Sequence, residues 1–374
     1  MIKVRRAAGL VIGAALVVAA CSGSAASPTT SGGAAGGSPT KVKFVLQWFP
    51  QAQFAGYFAA QDQGYFKDAG LDVTIVPGGT DINPMQVVAS GGADIGTTWV
   101  PKMLASREGG TDLVDIGQIF QRSGTLEISF KTKGYSSIAD LKGKKVGSWL
   151  GGNEPELYAD LVKNGMDPQK DVTVVQQGFD MSQILTSQID AAEAMIYNEY
   201  AQVLEAKNPT TGALYTPADL NVINFNNDGT GMLQDMIFAS DKWLKTGSNA
   251  SVAEKFLEAS FKGWIYCRTH MKDCVKIVLT HGPTLLKGHQ TWQMNEINAL
   301  IWPAPLGIGL MNAKDYQFTA KTTAKYNHLK QIPGHEAYRT DLAKAAQAAL
   351  KKQGIDIYGK GWKKANVKVT PGGK

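Results

Sequence analysis

The sequence predicts an α/β protein with two lobes and a helical C-terminal region. Strand and helix patterns alternate from Lys41 onward and restart after about Gly134, which gives two units of similar length. After Asp241 the pattern is helical almost to the end of the sequence. Because a strand–helix–strand order places crossover helices on the faces of a sheet, each unit is expected to form a largely parallel sheet covered by helices.

The N-terminal end predicts export and lipid anchoring. The apolar run Ala7–Ala20 follows three basic residues, as in a signal peptide, and is too short to span a bilayer comfortably. The run ends in Val-Ala-Ala-Cys, which looks like a bacterial lipobox with Cys21 as the lipidated residue. An ordinary signal peptide with a cysteine at this place is the alternative. Residues 22–40 are uncharged and rich in Gly, Ser, Ala, Thr and Pro, which predicts a flexible tether outside the cell membrane.

The elements of the first unit follow in order from Lys41. The pattern predicts strands in VKFVLQW, LDVTIV, ADIGTTW, DLVDIGQIF and LEISFK, and helices in AQFAGYFAAQDQGYFKDAG, NPMQVVASGG and PKMLASREGG. Gly70 is expected to close the first helix. Asn83 is expected to cap the second, with Pro84 at its first position. The aromatic residues of the first helix lie at helical spacing and are expected to be mostly core.

The second unit repeats the alternation, and the chain then returns to the first. The expected divisions are 1–20 for the signal peptide, 21–40 for the lipidated linker, 41–130 for the first part of lobe 1, 131–230 for lobe 2, and 231–374 for the completion of lobe 1 with the C-terminal helices. The strand near Met236 is expected to complete lobe 1, so the chain would cross between the lobes twice.

Composition and motifs argue against several functions. The formal net charge is +6, and the short basic clusters near Lys144 and Lys363 are typical of solvated faces, so no nucleic-acid partner is expected. The five histidines lie in the helical tail, away from the strand ends, and no phosphate-binding loop, H-E-x-x-H or G-x-S-x-G motif occurs. Neither a cofactor nor a metal is expected, and the protein is expected to be a monomer without enzymatic activity.

Cys267 and Cys274 predict a disulfide, because they are an even pair in an oxidising compartment. Residues seven apart on one straight helix are roughly 10 Å apart, which is beyond disulfide reach. A break between two helices is therefore expected within 269–272. A metal site with His270 and His281, or two free buried thiols, are the alternatives.

Candidate ligand-binding residues follow the strand ends of both units. In open α/β sheets, ligands bind at the carboxyl ends of strands, which here would meet in the cleft between the lobes. Aromatic, amide and acidic residues recur at these ends, and together they suit a planar ring whose edge is read by neutral donors and one or two carboxylates. The residues expected to contact the ligand are Trp48, Phe49, Gln51, Thr97, Trp99, Arg122, Thr125, Gly152, Asn153, Glu154, Tyr197, Glu199 and Asp235.

Several of these residues have a structural alternative. Gly152 could serve only a tight turn, and Glu154 could serve only the dipole of the following helix. Asp235 could form a salt bridge at the hinge. Arg122 is the expected cation for a ligand carboxylate or phosphate, and a structural pairing is equally consistent with its position.

The first unit resembles a known family. The segments QWFPQAQFAGYFAAQDQGYFKDAGLDVTIVPGG and VASGGADIGTTW are similar to substrate-binding proteins of ABC importers in the thiamine-pyrimidine-precursor-binding family. The resemblance runs from Lys41 to about Leu279. It implies a type II periplasmic-binding fold and delivery of a small molecule to a permease with its ATPase. Through it, Trp48, the loop 97–99 and the loop 151–154 correspond to ligand-binding positions of the family.

The resemblance leaves the ligand open. It implies a thiamine pyrimidine precursor, while riboflavin is bound by close relatives of the family and sulfonate or nitrate by more distant ones. The family also contains eukaryotic enzymes that depend on a cysteine-rich motif and a lysine carrying pyridoxal phosphate, and this sequence lacks the cysteine-rich motif. The competing hypothesis is an exported enzyme that uses Glu154, Glu199 and Asp235 as acid and base groups.

Overall fold

The computed structural model of the protein describes residues 38–326 and 329–374. The expected signal peptide, Cys21 and most of the linker lie outside the described residues. Residues Pro39–Lys374 form one compact unit. A search of the described residues for a helix long and apolar enough to cross a membrane finds none.

In the described residues, ten strands form two five-stranded sheets. In chain order they are β1 Thr40–Val45, β2 Leu71–Val76, β3 Ile95–Thr98, β4 Leu113–Gln118, β5 Thr125–Phe130, β6 Lys145–Ser148, β7 Thr173–Gln176, β8 Ala191–Met195, β9 Leu220–Asn224 and β10 Met236–Ser240. The sheet of the first lobe has the order β2-β1-β3-β10-β4, and the sheet of the second lobe has the order β7-β6-β8-β5-β9.

Fourteen α-helices flank the sheets in the described part of the chain. They are α1 Ala55–Asp62, α2 Tyr65–Asp68, α3 Pro84–Ala89, α4 Val100–Glu108, α5 Pro155–Lys163, α6 Ser182–Leu185, α7 Glu199–Glu205, α8 Phe225–Asp228, α9 Asp241–Leu244, α10 Asn249–Thr269, α11 Met271–His281, α12 Lys287–Ile301, α13 Ala313–Tyr326 and α14 Asp341–Lys352. This arrangement confirms the two-lobed α/β fold.

Each sheet is mixed and not purely parallel. Strand β10 is antiparallel to both β3 and β4, and β5 is antiparallel to both β8 and β9. The other strand pairs, such as β1 with β2 and β6 with β7, are parallel. In each sheet, the antiparallel strand (β5 or β10) is the one by which the chain enters that lobe from the other lobe. A direct crossover brings the chain to the sheet from the opposite end, so this strand runs against its neighbours.

The boundary of lobe 1 expected at residue 130 was wrong. The segment 125–130 was assigned to the first lobe, but as β5 it pairs with β8 and β9 of the second sheet. Strand identity follows from the local pattern, whereas the sheet that a strand joins depends on distant partners. The crossover therefore lies within 119–124, and the return crossover ends at β10 in the first sheet.

The first predicted helix is interrupted. The chain forms a 3-10 turn at Ala52–Phe54, then α1 and α2, with Gly64 between them at φ +76°. Such a left-handed residue ends a helix, and glycine adopts it without steric cost. The aromatic residues Phe54, Tyr57, Phe58 and Phe66 are buried, as expected for core. Asn83 caps α3 as predicted, since its side chain accepts a hydrogen bond from Gln86 N.

The helical tail joins both lobes. Helix α12 contacts the 3-10 turn of lobe 1 and also α7 of lobe 2, and α13 contacts both α4 and α5. Helix α10 ends at Thr269 and α11 begins at Met271, which is the break expected from the cysteine spacing. The break brings the Cα atoms of Cys267 and Cys274 to 5.4 Å, and the two sulfurs are bonded in the structure.

Candidate functional site

A small cavity of about 100 Å³ lies between the strand ends of the two lobes. Its walls combine aromatic rings, side-chain amides, one carboxyl and one ammonium group. The lining residues are Gln47, Trp48, Gln51, Gln53, Trp99, Lys102, Trp149, Asn153, Phe179, Met195, Tyr197, Asn198 and Glu199. It is small beside the roughly 300–1,000 Å³ of pockets for drug-sized ligands, which favours a compact ligand.

The first-lobe wall is held by amide groups. Gln51 Nε2 donates to Gln53 Oε1 at 2.7 Å, and Gln53 Nε2 donates to Asp235 Oδ2 at 2.8 Å. Trp99 Nε1 donates to the other oxygen of Asp235 at 2.8 Å. This network fixes the rotamers of the residues that line the cavity, because each buried polar group has a defined partner.

Asp235 therefore supports the wall and does not line the cavity. It is buried, and burial raises the pKa of its carboxyl to about 6, although the hydrogen bonds from Gln53 and Trp99 oppose the rise. The hinge salt bridge, which was the alternative role for Asp235, is not formed, since its side-chain partners are an amide and an indole. Thr97 is also behind the wall, where its hydroxyl accepts a hydrogen bond from Gln47 N at 3.0 Å.

The second-lobe wall begins with a tight turn after β6. Leu150, Gly151 and Gly152 have φ values of +58°, +62° and +98°, so the backbone passes through the left-handed region at three successive residues. The turn is closed by Gly152 N donating to Glu154 Oε2 at 2.9 Å and by Asn153 Nδ2 donating to Leu150 O at 2.8 Å. Asn153 reaches the cavity, whereas Gly152 and Glu154 shape the turn.

The junction of β8 with α7 supplies the carboxyl group. Glu199 Oε2 accepts from Met195 N at 3.0 Å, and Oε1 accepts from Asn198 Nδ2 at 2.6 Å. Burial raises the pKa of Glu199 to about 7 despite these hydrogen bonds. The group can therefore hold or release a proton near neutral pH, which suits recognition of a polar ring edge. Burial, with the charges of Asp235 and Glu199, also raises the pKa of Tyr197, so its hydroxyl stays protonated.

Aromatic rings from both lobes meet at the edge of the cavity. The ring centroids of Trp48 in lobe 1 and Phe179 in lobe 2 are 4.8 Å apart. Trp149 Nε1 donates to Gly178 O at 3.0 Å, which fixes the loop that carries Phe179. Phe49 packs edge-on against Trp48 at 5.3 Å but is half exposed and does not line the cavity.

Lys102 is the cation of this cavity, and it is not among the residues expected from the sequence. Its Nζ lies 5.1 Å from the centroid of the Trp99 ring, and no carboxylate of the described residues forms a salt bridge with it. Burial lowers its pKa, while the charges of Glu193, Asp235 and Glu154 oppose that shift. Its place one helical turn after Trp99 was the available signal, because residues three apart share a helix face.

Arg122 does not reach the cavity. Its guanidinium donates to the backbone oxygens of Pro303 at 2.8 Å, Leu300 at 3.3 Å and Ala299 at 3.4 Å. These bonds tie the first crossover to the end of α12. Arg122 therefore has the structural pairing that was the alternative to binding a ligand anion. Thr125 is likewise behind the cavity, where its hydroxyl accepts from Gln234 Nε2.

The structure thus divides the predicted residues. Trp48, Gln51, Trp99, Asn153, Tyr197 and Glu199 line the cavity, whereas Phe49, Thr97, Arg122, Thr125, Gly152, Glu154 and Asp235 do not. The lining residues that were not predicted are Gln47, Gln53, Lys102, Trp149, Phe179, Met195 and Asn198. Gln47 and Asn198 are immediate neighbours of predicted residues, Gln53 and Met195 lie two residues from predicted ones, and Phe179 follows β7 at a strand end of the same kind. No group of three or more potential metal ligands occurs among the described residues.

Three curated proteins are similar to this chain. A candidate thiamine biosynthesis protein of Haemophilus influenzae is 24% identical over 287 residues, covering 75% of this chain and 85% of its own length. The formylaminopyrimidine-binding protein of Halalkalibacterium halodurans is 23% identical over 242 residues, covering 64% and 70%. A 4-amino-5-hydroxymethyl-2-methylpyrimidine phosphate synthase of Saccharomyces cerevisiae is 30% identical over 157 residues, covering 41% and 46%.

Solved structures share the fold at low sequence identity. The periplasmic aliphatic sulphonate binding protein SsuA of Escherichia coli superimposes with a TM-score of 0.59 at 16% identity, covering 82% of this chain and 97% of that one. The fold is therefore that of the periplasmic binding proteins. The model of the family described as NMT1/THI5 like matches residues 51–273, which is more than half of the chain. This match confirms the resemblance seen in the sequence, and the chain belongs to the NMT1/THI5-like family.

Proposed function

We propose that the protein is a lipid-anchored, extracytoplasmic substrate-binding component of an ABC importer, and that its ligand is a compact aminopyrimidine of the thiamine-precursor type. The observation that carries this proposal is the cavity between the lobes, which is lined by the rings of Trp48, Trp99 and Tyr197 together with the carboxyl of Glu199. Aromatic faces suit a flat ring, and a carboxyl group suits an amino-substituted edge. Relatives named for formylaminopyrimidine and for hydroxymethylpyrimidine support this ligand class.

Other ligands of the superfamily suit the cavity less well. Riboflavin carries three fused rings and a ribityl chain, so it is several times larger than an aminopyrimidine and suits this small cavity less well. A sulfonate or nitrate would interact with Lys102, the one specific feature in favour of an anion. The buried carboxyls of Glu199 and Asp235 oppose an anionic ligand, because an uncompensated like charge is costly in a buried site.

The enzyme hypothesis has little support from the geometry. Both carboxyl oxygens of Asp235 accept hydrogen bonds in the wall, one carboxyl oxygen of Glu154 accepts a hydrogen bond in the turn, and neither residue lines the cavity. Glu199 alone among the three faces it. A binding protein needs no second acid or base and returns its ligand unchanged, so recovery of intact ligand after prolonged incubation is the expected outcome.

A thermal-shift series tests the ligand class. The protein is heated with 4-amino-5-hydroxymethyl-2-methylpyrimidine, formylaminopyrimidine, riboflavin, taurine and nitrate. A ligand at about 100 times its dissociation constant stabilises the fold by roughly 2.7 kcal/mol, so the binder stands out clearly. A shift with a pyrimidine alone supports the proposal, and a shift with an anion alone contradicts it.

Two variants locate the binding group. Glu199→Gln should weaken pyrimidine binding by about 10- to 100-fold, since a hydrogen bond to a charged group contributes roughly 1.5–3 kcal/mol. Glu154→Gln is the matched control, because it is a neighbouring carboxyl of the cleft that keeps its acceptor for Gly152. Equal losses in both variants would place the ligand elsewhere.

The importer and the anchor are tested in cells. Deletion of the protein should abolish uptake of a labelled pyrimidine, and restoring the gene should recover it. Cys21→Ala should release the protein from the membrane while leaving its affinity for the pyrimidine unchanged, because every residue that lines the cavity lies within 47–199. Membrane retention of this variant would contradict the lipid anchor.

A further inference from the structure

A chain of hydrogen bonds runs from the outer side of lobe 2 to the cavity carboxyl. His289 Nδ1 lies 3.0 Å from both carboxyl oxygens of Glu205, and His289 Nε2 lies 2.8 Å from Asn198 Oδ1. Asn198 Nδ2 in turn donates to Glu199 Oε1 at 2.6 Å. His289 itself does not line the cavity. It belongs to α12 of the tail, while the other three residues belong to the β8–α7 junction and to α7.

The hydrogen-bond partners determine where the protons are. An ionised carboxylate only accepts, so Glu205 requires a proton on Nδ1 of His289. Because the amide nitrogen of Asn198 is used for Glu199, its oxygen faces His289 and requires a proton on Nε2. An imidazole that donates from both nitrogens is a cation. The geometry therefore pairs a charged His289 with an ionised Glu199.

A second arrangement of the same network moves the charge. If Nε2 of His289 loses its proton, it becomes an acceptor, and Asn198 must turn its amide nitrogen toward it. The oxygen of Asn198 then faces Glu199, and this contact is favourable only if Glu199 carries a proton. The two arrangements hold the same number of protons, so a proton is exchanged between His289 and Glu199 as the amide turns.

Other residues surround His289 and Glu199, the two ends of this chain of hydrogen bonds. His289 faces Glu205 from α7, and Gly373 of the C-terminal 3-10 turn covers both residues. On this side a groove of about 500 Å³ opens to solvent along Leu285 and Leu286. At the other end, Lys102 and Tyr197 share the cavity with Glu199, and Met195 N donates to its carboxyl.

We propose that His289 is a positioning residue that, through Asn198, decides whether Glu199 meets the ligand as a carboxylate or as an acid. With His289 charged, Glu199 accepts hydrogen bonds and selects a ligand edge that donates, such as an amino group or a protonated ring nitrogen. With His289 neutral, Glu199 is an uncharged acid whose single O–H is donated to Asn198, so it offers the ligand only a weaker, uncharged acceptor. Only the effect on ligand affinity rests on the proposed function, because the proton link is a property of the ligand-free protein.

The first test measures Glu199 without a ligand. The carboxyl carbon of Glu199, assigned by its loss in Glu199→Gln, is titrated by ¹³C NMR in the wild type and in His289→Gln. Glutamine keeps a donor for Asn198 but cannot carry a charge. Without the charge of His289, the titration of Glu199 should move to higher pH by about one unit, the usual size of such shifts.

His281→Gln is the matched control. His281 also pairs with a carboxylate, since its Nε2 lies 3.0 Å from Asp62, but it lies on α11 and does not line the cavity. The control should leave the Glu199 titration unchanged. In the wild type at neutral pH, ¹⁵N NMR should show both ring nitrogens of His289 protonated. A single protonated nitrogen, or an unchanged Glu199 titration in His289→Gln, overturns the proposal.

The second test measures affinity for 4-amino-5-hydroxymethyl-2-methylpyrimidine as a function of pH. His289→Gln should bind it about tenfold more weakly at neutral pH, and its affinity should fall at a higher pH than in the wild type during acidification. Titration of the ligand is common to both proteins and cancels in the comparison. An unchanged profile overturns the proposal. If the wild type binds no pyrimidine but the Glu199 titration depends on His289, the proposed function fails and the proton link is supported.

Discussion

The two walls of the cleft bury carboxyl groups in opposite ways. In lobe 1, both oxygens of Asp235 accept hydrogen bonds, from Gln53 and from Trp99. In lobe 2, Glu127 and Glu193 lie directly opposite each other on β5 and β8. Both oxygens of Glu127 and one oxygen of Glu193 have no hydrogen-bond partner.

The contrast shows that burial alone does not define a site. Burial raises the pKa of Asp235 only to about 6, because its partners stabilise the charge. Burial raises the pKa of Glu193 to about 7 although Ser148 and Trp149 donate to it, whereas burial with the charge of Glu193 raises the pKa of Glu127, which has no such donors, well above its usual range. Lobe 1 therefore offers a fixed wall, whereas lobe 2 contains a carboxyl pair that favours the protonated form in the folded protein.

Glu127→Gln gives the largest expected effect. The folded protein holds protons on this pair that the unfolded chain releases, so the stabilisation is complete at low pH and is lost as pH rises through the folded pKa values. The variant needs no proton at this position. Its free energy of unfolding should therefore fall less steeply with rising pH than that of the wild type, by up to about 1.4 kcal/mol per pH unit. Denaturant unfolding at several pH values above 5 measures the difference.

The control for this prediction is Asp72→Asn, which replaces an exposed carboxyl on β2 of lobe 1. It should leave the pH dependence of unfolding unchanged. If the unfolding free energy falls equally steeply with pH in Glu127→Gln and in the wild type, the buried carboxyl pair of lobe 2 does not make stability depend on pH, and the contrast with lobe 1 is wrong.

Removing the disulfide should destabilise the helices of lobe 1 without affecting the sheet of lobe 2. The double variant Cys267→Ser/Cys274→Ser should lose about 2–3 kcal/mol of stability, since the bond closes a short loop with a sequence separation of 7 residues. Hydrogen exchange should show the loss in α10 and α11, and little change in β5–β9. A thiol assay on the unfolded wild type should find both cysteines blocked, and a free thiol at either would contradict the pairing.

The contact between the lobes gives a smaller effect. Phe179→Ala should weaken ligand binding by about 3- to 10-fold, because an aromatic pair such as Trp48–Phe179 contributes roughly 0.5–1.5 kcal/mol. The matched control is Phe49→Ala, which removes an equally exposed phenylalanine that packs against Trp48 from the same lobe. Equal losses of affinity in the two variants would mean that the Trp48–Phe179 contact across the cleft makes no specific contribution to ligand binding.

The sequence predicted those features that are encoded locally. Strand ends, the Asn83 cap and the helix break near His270 follow from short patterns, and so do the six predicted residues that line the cavity. The sheet that β5 joins was not predictable in this way, because it depends on pairing with β8 and β9. Which of its two expected roles Arg122 takes was not predictable for a similar reason, since the backbone oxygens that hold it come from residues 299–303.

The role of His289 illustrates the same limit. It is 90 residues from Glu199 in sequence, and nothing around it in α12 indicates a contact with the cleft. Only the packing of α12 against α7 brings His289 beside Asn198. Long-range contacts of this kind decide charge states, whereas local patterns decide which side chains are near a strand end.

The position of β10 has a consequence for the order in which the protein can assemble. This strand separates β3 from β4 in the first sheet, so that sheet cannot close until the chain has been synthesised or exported past residue 240. The second sheet is built from one continuous stretch, 125–224, and needs no strand from outside it. The lobe that comes second along the chain can therefore complete its sheet first, while β1 to β4 remain dependent on a strand still to arrive.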